Sequence, residues 1–373
     1  MDADELNRRV HSSLQAWAAE AGFDRAGVAH LALGDDLTHL RTWLAAGRHA
    51  NMAWIARDPE MRATPARLRP GTVSVISARM PCNPPASFNA SEVLADGRHA
   101  YIARYALGRE YHKLMRKRLL QLAKHIADTV APHGYRVLTD SAPVLEKALA
   151  RNAGLSWFGK HTLTIDRDIG SSFLLGEIYT DLPLQPTATP REAGYGCGKC
   201  TACIDVCPTH AIIAPYQLDA GRCISYLTIE HHGPIPLDMR PLIGNRIFGC
   251  DDCQLACPWN RHAQPSHEVD FKPRHGLENA WLVDLFEWDE ATWLKHTEGM
   301  ALRRTGYRNW LRNIAVALGN APPDARIDAV LARHADHPDE LVREHVRWAQ
   351  AHRARQPAQE PTVSAASGTL FND

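Results

Sequence analysis

Apolar positions in residues 1–190 follow both helical and strand periodicity, which predicts a mixed α/β region. Residues 5–21 have helical spacing, with one apolar face made by Leu6, Val10, Leu14 and Trp17. Short β-branched or apolar runs predict four strands, at 72–79, 135–138, 162–166 and 172–179.

Two longer helical patterns complete this region. An amphipathic helix is predicted over 113–130, where Pro132 and Gly134 stop it. Another begins near Pro143, a favourable first-turn residue, and ends at Ala153 before a glycine C-cap.

Beyond residue 275 the pattern is helical. One buried face is indicated by the spacing of Leu311, Ile314, Ala315 and Leu318, and a second helix by residues 338–352. Two such helices suggest one or two repeat units of the HEAT type. The fold class expected is α+β in four parts: an α/β domain at 1–190, a cysteine module at 191–262, an all-helical domain at 263–355 and a disordered tail at 356–373.

Composition places the chain among ordinary globular proteins. Hydrophobic residues make up 45%, which excludes bulk disorder, and no apolar run approaches the length of a membrane span. Arg8 and Arg9 are followed by a segment too polar for an export signal, so a cytoplasmic protein without a membrane partner is expected. Lysine plus arginine and aspartate plus glutamate both number 42, so bulk charge alone would not hold nucleic acid. Nothing in the pattern indicates an oligomer, and a monomer is expected.

Eight of the nine cysteines lie between Cys197 and Cys257, while Cys82 stands alone as a small buried hydrophobe. The first four make C-x2-C-x2-C-x3-C before proline, the bacterial ferredoxin run, whose fourth cysteine ligates a second cluster. The crossed assignment gives one [4Fe-4S] cluster to Cys197, Cys200, Cys203 and Cys257, and the other to Cys207, Cys223, Cys250 and Cys253. The alternative is two zinc sites of four cysteines each.

Asp140 follows the predicted strand 135–138, where a helix begins. One reading makes it a helix N-cap. The other makes it a general acid, with a pKa raised by an apolar cofactor so that it holds a proton near neutral pH.

Four arginines and no acid occur between Gly299 and Pro323. The spacing of Arg304, Arg308 and Arg312 predicts one helix face, with aromatic residues interleaved. This face would meet RNA phosphates, or else it is a solvated surface.

Several stretches together resemble the epoxyqueuosine reductase family, which is cobalamin-dependent and acts in tRNA queuosine biosynthesis. They are YIARYALGREYHKLMRKRL (101–119), TDSAPVLEKALARNAGLSWFGKHTLTI (139–165), CGKCTACIDVCPTHAI (197–212), CISYLTIEHHGPIP (223–236), GCDDCQLACPWN (249–260) and RTGYRNWLRNIAVALGN (304–320). The family usually has Asn where this chain has His161.

The resemblance implies that electrons from a low-potential donor pass through two clusters to cobalamin, which reduces epoxyqueuosine at the tRNA wobble position. Asp140 would be the proton donor, and the helical domain with Arg304, Arg308 and Arg312 would bind the anticodon arm. The cobalamin contacts implied are Arg62, Ala103, Asp140, Thr164, Ser225, Cys250, Asp251, Asp252 and Cys253.

Three other functions remain open from the sequence. A corrinoid reductive dehalogenase would share both cofactors, but usually carries an export signal. A ferredoxin-like electron carrier would need no cobalamin. An iron–sulfur protein that binds tRNA without modifying it would leave the nucleoside unchanged.

Overall fold

The computed structural model describes residues 2–84, 89–189 and 195–355, so the tail predicted at 356–373 lies outside the described residues. The strands are β1 Arg25–Ala29, β2 Ser74–Pro81, β3 Tyr101–Ile102, β4 Tyr135–Leu138, β5 Trp157–Phe158, β6 Thr164–Ile165, β7 Phe173–Thr180, β8 Ile212–Ala214, β9 Gln217–Leu218 and β10 Arg246–Phe248.

The α-helices are α1 Ala3–Glu20, α2 Gly34–Ala45, α3 Ala53–Ala56, α4 Pro59–Ala63, α5 Pro65–Leu68, α6 Ala90–Ala95, α7 Tyr111–Thr129, α8 Glu146–Asn152, α9 Ala202–Asp205, α10 Ile224–Ile229, α11 Arg240–Ile243, α12 Asp252–Leu255, α13 Leu282–Phe286, α14 Glu290–His296, α15 Tyr307–Asn320, α16 Ala325–Arg333 and α17 Glu340–Arg353. Short 3-10 turns lie at Arg104–Ala106, Ala220–Arg222, Pro258–His262, Val269–Phe271, Leu277–Asn279 and Ala301–Arg304.

The main sheet has the strand order β1-β2-β7-β4, and every neighbouring pair is antiparallel. Side chains alternate between its two faces. Ile76 and Ile178 pack with α1 and α7 on one face, whereas Val75 and Tyr179 pack with α8 on the other. The sheet is therefore a filled layer between helices, and the loop after β4 emerges at its end.

The predicted long helices and the strands 135–138 and 172–179 are confirmed within one or two residues. The helix expected from Pro143 begins three residues later, at Glu146, and Leu145 occupies the N-cap position. The predicted strand at 162–166 is only two residues long, and it pairs with β5.

The carboxyl-terminal helices pack on the rest of the molecule through one continuous apolar cluster. Helix α15 buries Leu311, Ile314 and Leu318, as the pattern predicted, and it packs closely against α17. The same cluster reaches Leu6 in α1 and Phe248 in β10. No helix within the described ranges is both long and apolar enough to cross a membrane.

Candidate active site

The loop after β4 holds Asp140 in an unusual backbone conformation. Its φ is +40°, in the left-handed region, where aspartate is one of the few side chains tolerated. The buried hydroxyl of Thr139 donates to the Leu175 carbonyl at 2.8 Å, and the Asp140 N–H donates to Glu146 Oε2 at 2.9 Å. Because Leu145 is the N-cap of α8, the N-cap interpretation of Asp140 is wrong.

The carboxylate of Asp140 contacts the first turn of α7. The Tyr111 hydroxyl donates a hydrogen bond to Oδ2, and His112 Nε2 lies 2.9 Å from the same oxygen. The other ring nitrogen of His112 is 2.7 Å from Glu110 Oε1. Tyr111 and His112 stack with ring centroids 4.2 Å apart, so one phenol and one imidazole are fixed beside the carboxylate.

The pKa values in this cluster differ from the expectation for Asp140. Burial alone would raise the pKa of Asp140, but His112 and Tyr111 outweigh it and lower the pKa below the usual value. Burial likewise opposes the charged form of His112, yet the carboxylates of Asp140 and Glu110 raise its pKa to about 9. At neutral pH His112 is therefore protonated and Asp140 is ionised.

Beneath this pair lie two further acids. Burial and the charge of Asp140 raise the pKa of Glu146 to about 7. Glu177 on β7 is fully buried, and its pKa is raised well above the usual range by burial and by the Glu146 charge. The cavity beside them, about 140 Å³, is lined by Tyr111, Asp140 and Thr164, among others.

Arg304 lies beside the Asp140 cluster and not on a helix face with Arg308 and Arg312. It ends a 3-10 turn, Gly306 follows with φ +76°, and α15 begins only at Tyr307. Its Nε is 2.6 Å from Glu230 Oε1, and its charge helps to lower the pKa of Asp140.

The prediction that Arg312 contacts tRNA is wrong. Its side chain is fully buried and donates to the carbonyl oxygens of Leu227, His231 and Gly233 at 2.6–2.8 Å. Those bonds explain how a guanidinium is accommodated in the core. Arg308 is exposed, but its guanidinium is paired with Asp339 at 2.8 Å.

The crossed assignment of the eight cysteines stays a prediction. Burial raises the pKa of Cys203 to about 11, and the neighbouring thiols that add to this are Cys197, Cys257 and Cys200. Burial is also the largest cause of the raised pKa of Cys253, and the thiols that add to it are Cys223, Cys203 and Cys207, so Cys203 lies near thiols of both predicted sets. Among the described residues no three ligand side chains converge on a single ion, but the thiolates of a [4Fe-4S] cluster bind separate irons.

Two buried carboxylates that follow Cys250 hold the loop 249–253 in place. Asp251 accepts from the Tyr101 hydroxyl and from the Arg104 N–H, both at 2.8 Å. Asp252 accepts from Arg246 Nε at 2.7 Å. Both carboxylates therefore fix the position of this loop.

Three of the remaining predicted contacts lie beside the same loop or the Asp140 cavity. The Ala103 N–H donates to the Phe248 carbonyl at 2.8 Å, and Ser225 is a hydrogen-bonding neighbour of Cys223. Thr164 lines the cavity beside Asp140. Arg62 is different, because its guanidinium donates to the Trp54 and Ile55 carbonyls of the preceding helix α3.

His161, which stands where the family usually has Asn, is a buried structural residue. Its Nδ1 accepts from the Leu163 N–H at 3.1 Å. Burial and the Lys147 charge lower its pKa to about 4, so the ring is neutral.

Sequence reasoning missed Tyr105, Tyr111, His112 and Glu146 as site residues. Tyr105 packs edge-on to Tyr111 at 5.7 Å, and its pKa is raised first by burial and then by the charges of Asp140 and Asp251. Its ring centroid is also 6.5 Å from that of Phe248, which directly precedes the cysteine loop, so Tyr105 neighbours both Tyr111 and this loop. The adjacent tyrosine and histidine that begin α7 are visible in the sequence as two side chains that can carry a proton. Nothing local connects them to an aspartate 29 residues later.

Two family models match the chain. "Epoxyqueuosine reductase QueG, DUF1730" matches residues 62–141, and "4Fe-4S double cluster binding domain" matches residues 196–260. The second match supports iron–sulfur clusters over the zinc alternative.

Relatives named epoxyqueuosine reductase align with nearly the whole chain. The protein of Xanthomonas campestris pv. campestris is 57% identical over 338 residues, covering 91% of this chain and 94% of that protein. The protein of Pseudomonas aeruginosa is 53% identical over 341 residues, with the same coverage of 91% and 94%.

Solved structures share the fold. An epoxyqueuosine reductase from Bacillus subtilis, with its catalytic aspartate loop swung out of the active site, superposes with a TM-score of 0.79 at 25% identity. It covers 92% of this chain and 90% of its own. An epoxyqueuosine reductase with an epoxyqueuosine-modified tRNA-Tyr stem loop gives 0.77 at 22% identity, covering 93% and 99%, which shows the fold alone.

Proposed function

Because the chain belongs to the epoxyqueuosine reductase family, we propose that it reduces epoxyqueuosine to queuosine at the wobble position of tRNA, the last step of queuosine biosynthesis. The observation that carries the proposal is the Asp140–His112–Tyr111 cluster, which faces the cluster-binding loop 249–253 across Tyr105. The side chains that would donate the proton therefore lie close to the loop that would bind an electron-carrying cluster.

The overall reaction requires two electrons and two protons. The epoxide oxygen leaves as water, and the two carbons that held it become the alkene of queuosine. The two [4Fe-4S] clusters deliver one electron at a time, and an unidentified low-potential donor supplies them.

Asp140 protonates the developing oxyanion, and His112 supplies the proton. In the resting geometry Asp140 is ionised, so the proton passes from the imidazolium to the carboxylate across 2.9 Å. Tyr111 keeps the carboxylate oriented, and Glu146 holds the loop through the Asp140 N–H. The mobile aspartate loop of the Bacillus subtilis structure supports assigning the catalytic carboxyl to this loop.

We place cobalamin at the face between the two loops. It would be held from the cluster side by Ala103, Ser225 and the backbone of 250–253, and from the other side by Thr164 and Asp140. Arg62 would contribute only through its backbone, because its guanidinium already donates to two carbonyls. When bound, the corrinoid supplies the low-potential electrons that open the epoxide. Tyr105 is fixed between the two loops and excludes water from the space between them.

The tRNA substrate would approach from the side where Arg304 and Arg308 are exposed. We assign the carboxyl-terminal helices, with α15 packed on α17, to a HEAT-like domain over 263–355 that supports the anticodon arm. The corresponding cobalamin domain is 1–190 and the two-cluster module 191–262. A single-stranded loop presents its wobble base without breaking a duplex.

The test is complementation of cells that lack their own epoxyqueuosine reductase. Expression of this chain should restore queuosine in their tRNA, and the Asp140→Asn variant, produced at the same level, should leave epoxyqueuosine. If the wild-type chain is expressed with its clusters and epoxyqueuosine persists, the proposed function is wrong.

A further inference from the structure

Helix α7 exposes a row of cationic side chains along its outer side. Lys113, Arg116, Lys117 and Lys124 are all exposed and border one shallow surface hollow together with Leu120 and Gln121. Positions 113, 117, 120 and 124 recur at helical spacing, so they share one face. We call these six residues the α7 basic face.

The charges of this face are not neutralised within the described part of the chain. None of its four cations forms an ion pair there, and Arg116 donates only to the His112 carbonyl at 3.2 Å. The other cations of α7 are engaged elsewhere, since Arg118 is paired with Glu268 and His112 with Glu110. Asp128, in the last turn, is the acid of this helix.

The α7 basic face begins where the active site ends. Tyr111 and His112, in the first turn, contact Asp140, and Lys113 follows directly. At 1.5 Å per residue the row from Lys113 to Lys124 extends about 16 Å away from the site, long enough to follow several phosphates of a nucleic acid strand.

A polyanion suits this face better than a lipid surface does. Helices that lie on membranes present a broad apolar face beside their cations. Here the apolar side of α7, with Leu114, Leu119 and Leu122, is buried against the sheet. Leu120, 47% exposed, is the large apolar side chain among the six residues.

We propose that the α7 basic face binds backbone phosphates of the tRNA substrate beyond its wobble base. The inference rests on the proposed function and adds a contact surface outside the carboxyl-terminal helices. It also supplies unpaired cations where the three predicted arginines do not, because Arg312 is buried and both Arg304 and Arg308 are already paired with acids.

The test compares two double variants that each remove two positive charges from an exposed helix. Lys117→Ala/Lys124→Ala alters the α7 basic face, and Arg8→Ala/Arg9→Ala on α1 is the matched control. Binding of a fluorescent tRNA-Tyr transcript is measured between 50 and 200 mM salt, a range over which phosphate contacts weaken by about tenfold for two contacts. The α7 variant should bind about tenfold more weakly at low salt, with a log–log salt slope shallower by about 1.5. The control should match the wild type.

Conversion of saturating epoxyqueuosine-tRNA in a single turnover separates this inference from the proposed function. The α7 variant should convert its bound tRNA at the wild-type rate, because the Asp140 cluster is intact. If the wild type binds and converts tRNA while the α7 variant shows the wild-type affinity and slope, the α7 inference alone is overturned. If the wild type neither binds nor converts tRNA, both fail.

Discussion

At the scale of single residues, the Asp140 carboxylate is defined by its neighbours. The Tyr111 hydroxyl and the His112 imidazolium stabilise its charge, and the Glu146 carboxylate holds its backbone. The general acid that we propose is thus a carboxylate–imidazolium pair that shares a proton, and both members should be needed for turnover.

Asp140→Asn should reduce turnover at least about a hundredfold, because an amide cannot relay a proton to the leaving oxygen. Iron content and cobalamin binding should stay at wild-type levels. Both are measured on the same preparation as the single-turnover rate. A variant with full clusters, bound cobalamin and wild-type turnover would remove Asp140 from the mechanism.

Turnover should have an alkaline limit that is set by deprotonation of His112. Its pKa is raised to about 9, so the imidazolium is present at neutral pH and is lost as pH rises through about 9. Turnover should fall over that interval. The stability from its ion pairs should also be complete below about 6.5, the unfolded pKa, and disappear on the same alkaline rise.

His112→Gln should lower turnover at neutral pH by about tenfold or more and abolish the fall of turnover at alkaline pH. Glu110→Gln is the companion variant, because it removes one of the two carboxylates that raise the pKa of His112. In this variant turnover should begin to fall at a lower pH. An unchanged pH profile in both variants would show that His112 does not supply the proton.

At the scale of elements, α15 shows why Arg304, Arg308 and Arg312 do not form one exposed row. Arg308 and Arg312 share a helix face by their i, i+4 spacing, but one turn beyond Arg308 that face is covered by residues 227–233, which bury Arg312. Arg304 precedes the helix altogether, because Gly306 breaks it. Periodicity identified the buried face of Leu311 and Ile314, whereas the carbonyls that accommodate Arg312 come from residues 227–233, far away in sequence.

Arg312→Ala should therefore destabilise the protein without changing how tRNA binding depends on salt. Loss of its bonds leaves three buried carbonyls unsatisfied, for a cost of about 3 kcal/mol or more. Arg308→Ala is the control, since an exposed ion pair contributes less than about 1 kcal/mol. Denaturant unfolding of both variants gives the comparison, and equal stabilities would contradict the structural role of Arg312.

At the scale of the whole molecule, the two clusters link segments that are distant in sequence. The crossed assignment places Cys257 with Cys197 and Cys200, and Cys207 with Cys223 and Cys253. The ferredoxin spacing predicts this crossing, because the fourth cysteine of the run ligates the other cluster. The brace of Asp251 by Tyr101 and Arg104 was beyond sequence reasoning, since it joins β3 to a loop about 150 residues later.

Paired cysteine variants test the crossing. Cys200→Ser/Cys257→Ser should empty one cluster and leave about four irons per chain, while Cys203→Ser/Cys207→Ser should damage both. Iron analysis and electron paramagnetic resonance on anaerobically purified protein give the counts. The opposite result, with the first pair losing all iron, would show that each sequence set holds its own cluster.

The sequence predicted three of the four strands of the main sheet and the long helices, because each depends on short-range pattern, but it missed β1. The cluster ligands stay a prediction. The sequence located Asp140 but not its chemistry, since the lowered pKa arises from α7, which packs beside the loop only in the folded chain. Site residues held by such contacts have no local signature in one sequence.

The activity assigned to this chain is removal of the epoxide oxygen of epoxyqueuosine in tRNA. The most direct measurement is mass spectrometry of nucleosides after anaerobic incubation of the reconstituted protein with epoxyqueuosine-tRNA, cobalamin and a low-potential reductant. Loss of one oxygen atom, dependent on cobalamin and absent with Asp140→Asn, is the predicted result. An unchanged nucleoside, with both clusters intact and cobalamin bound, would contradict the account.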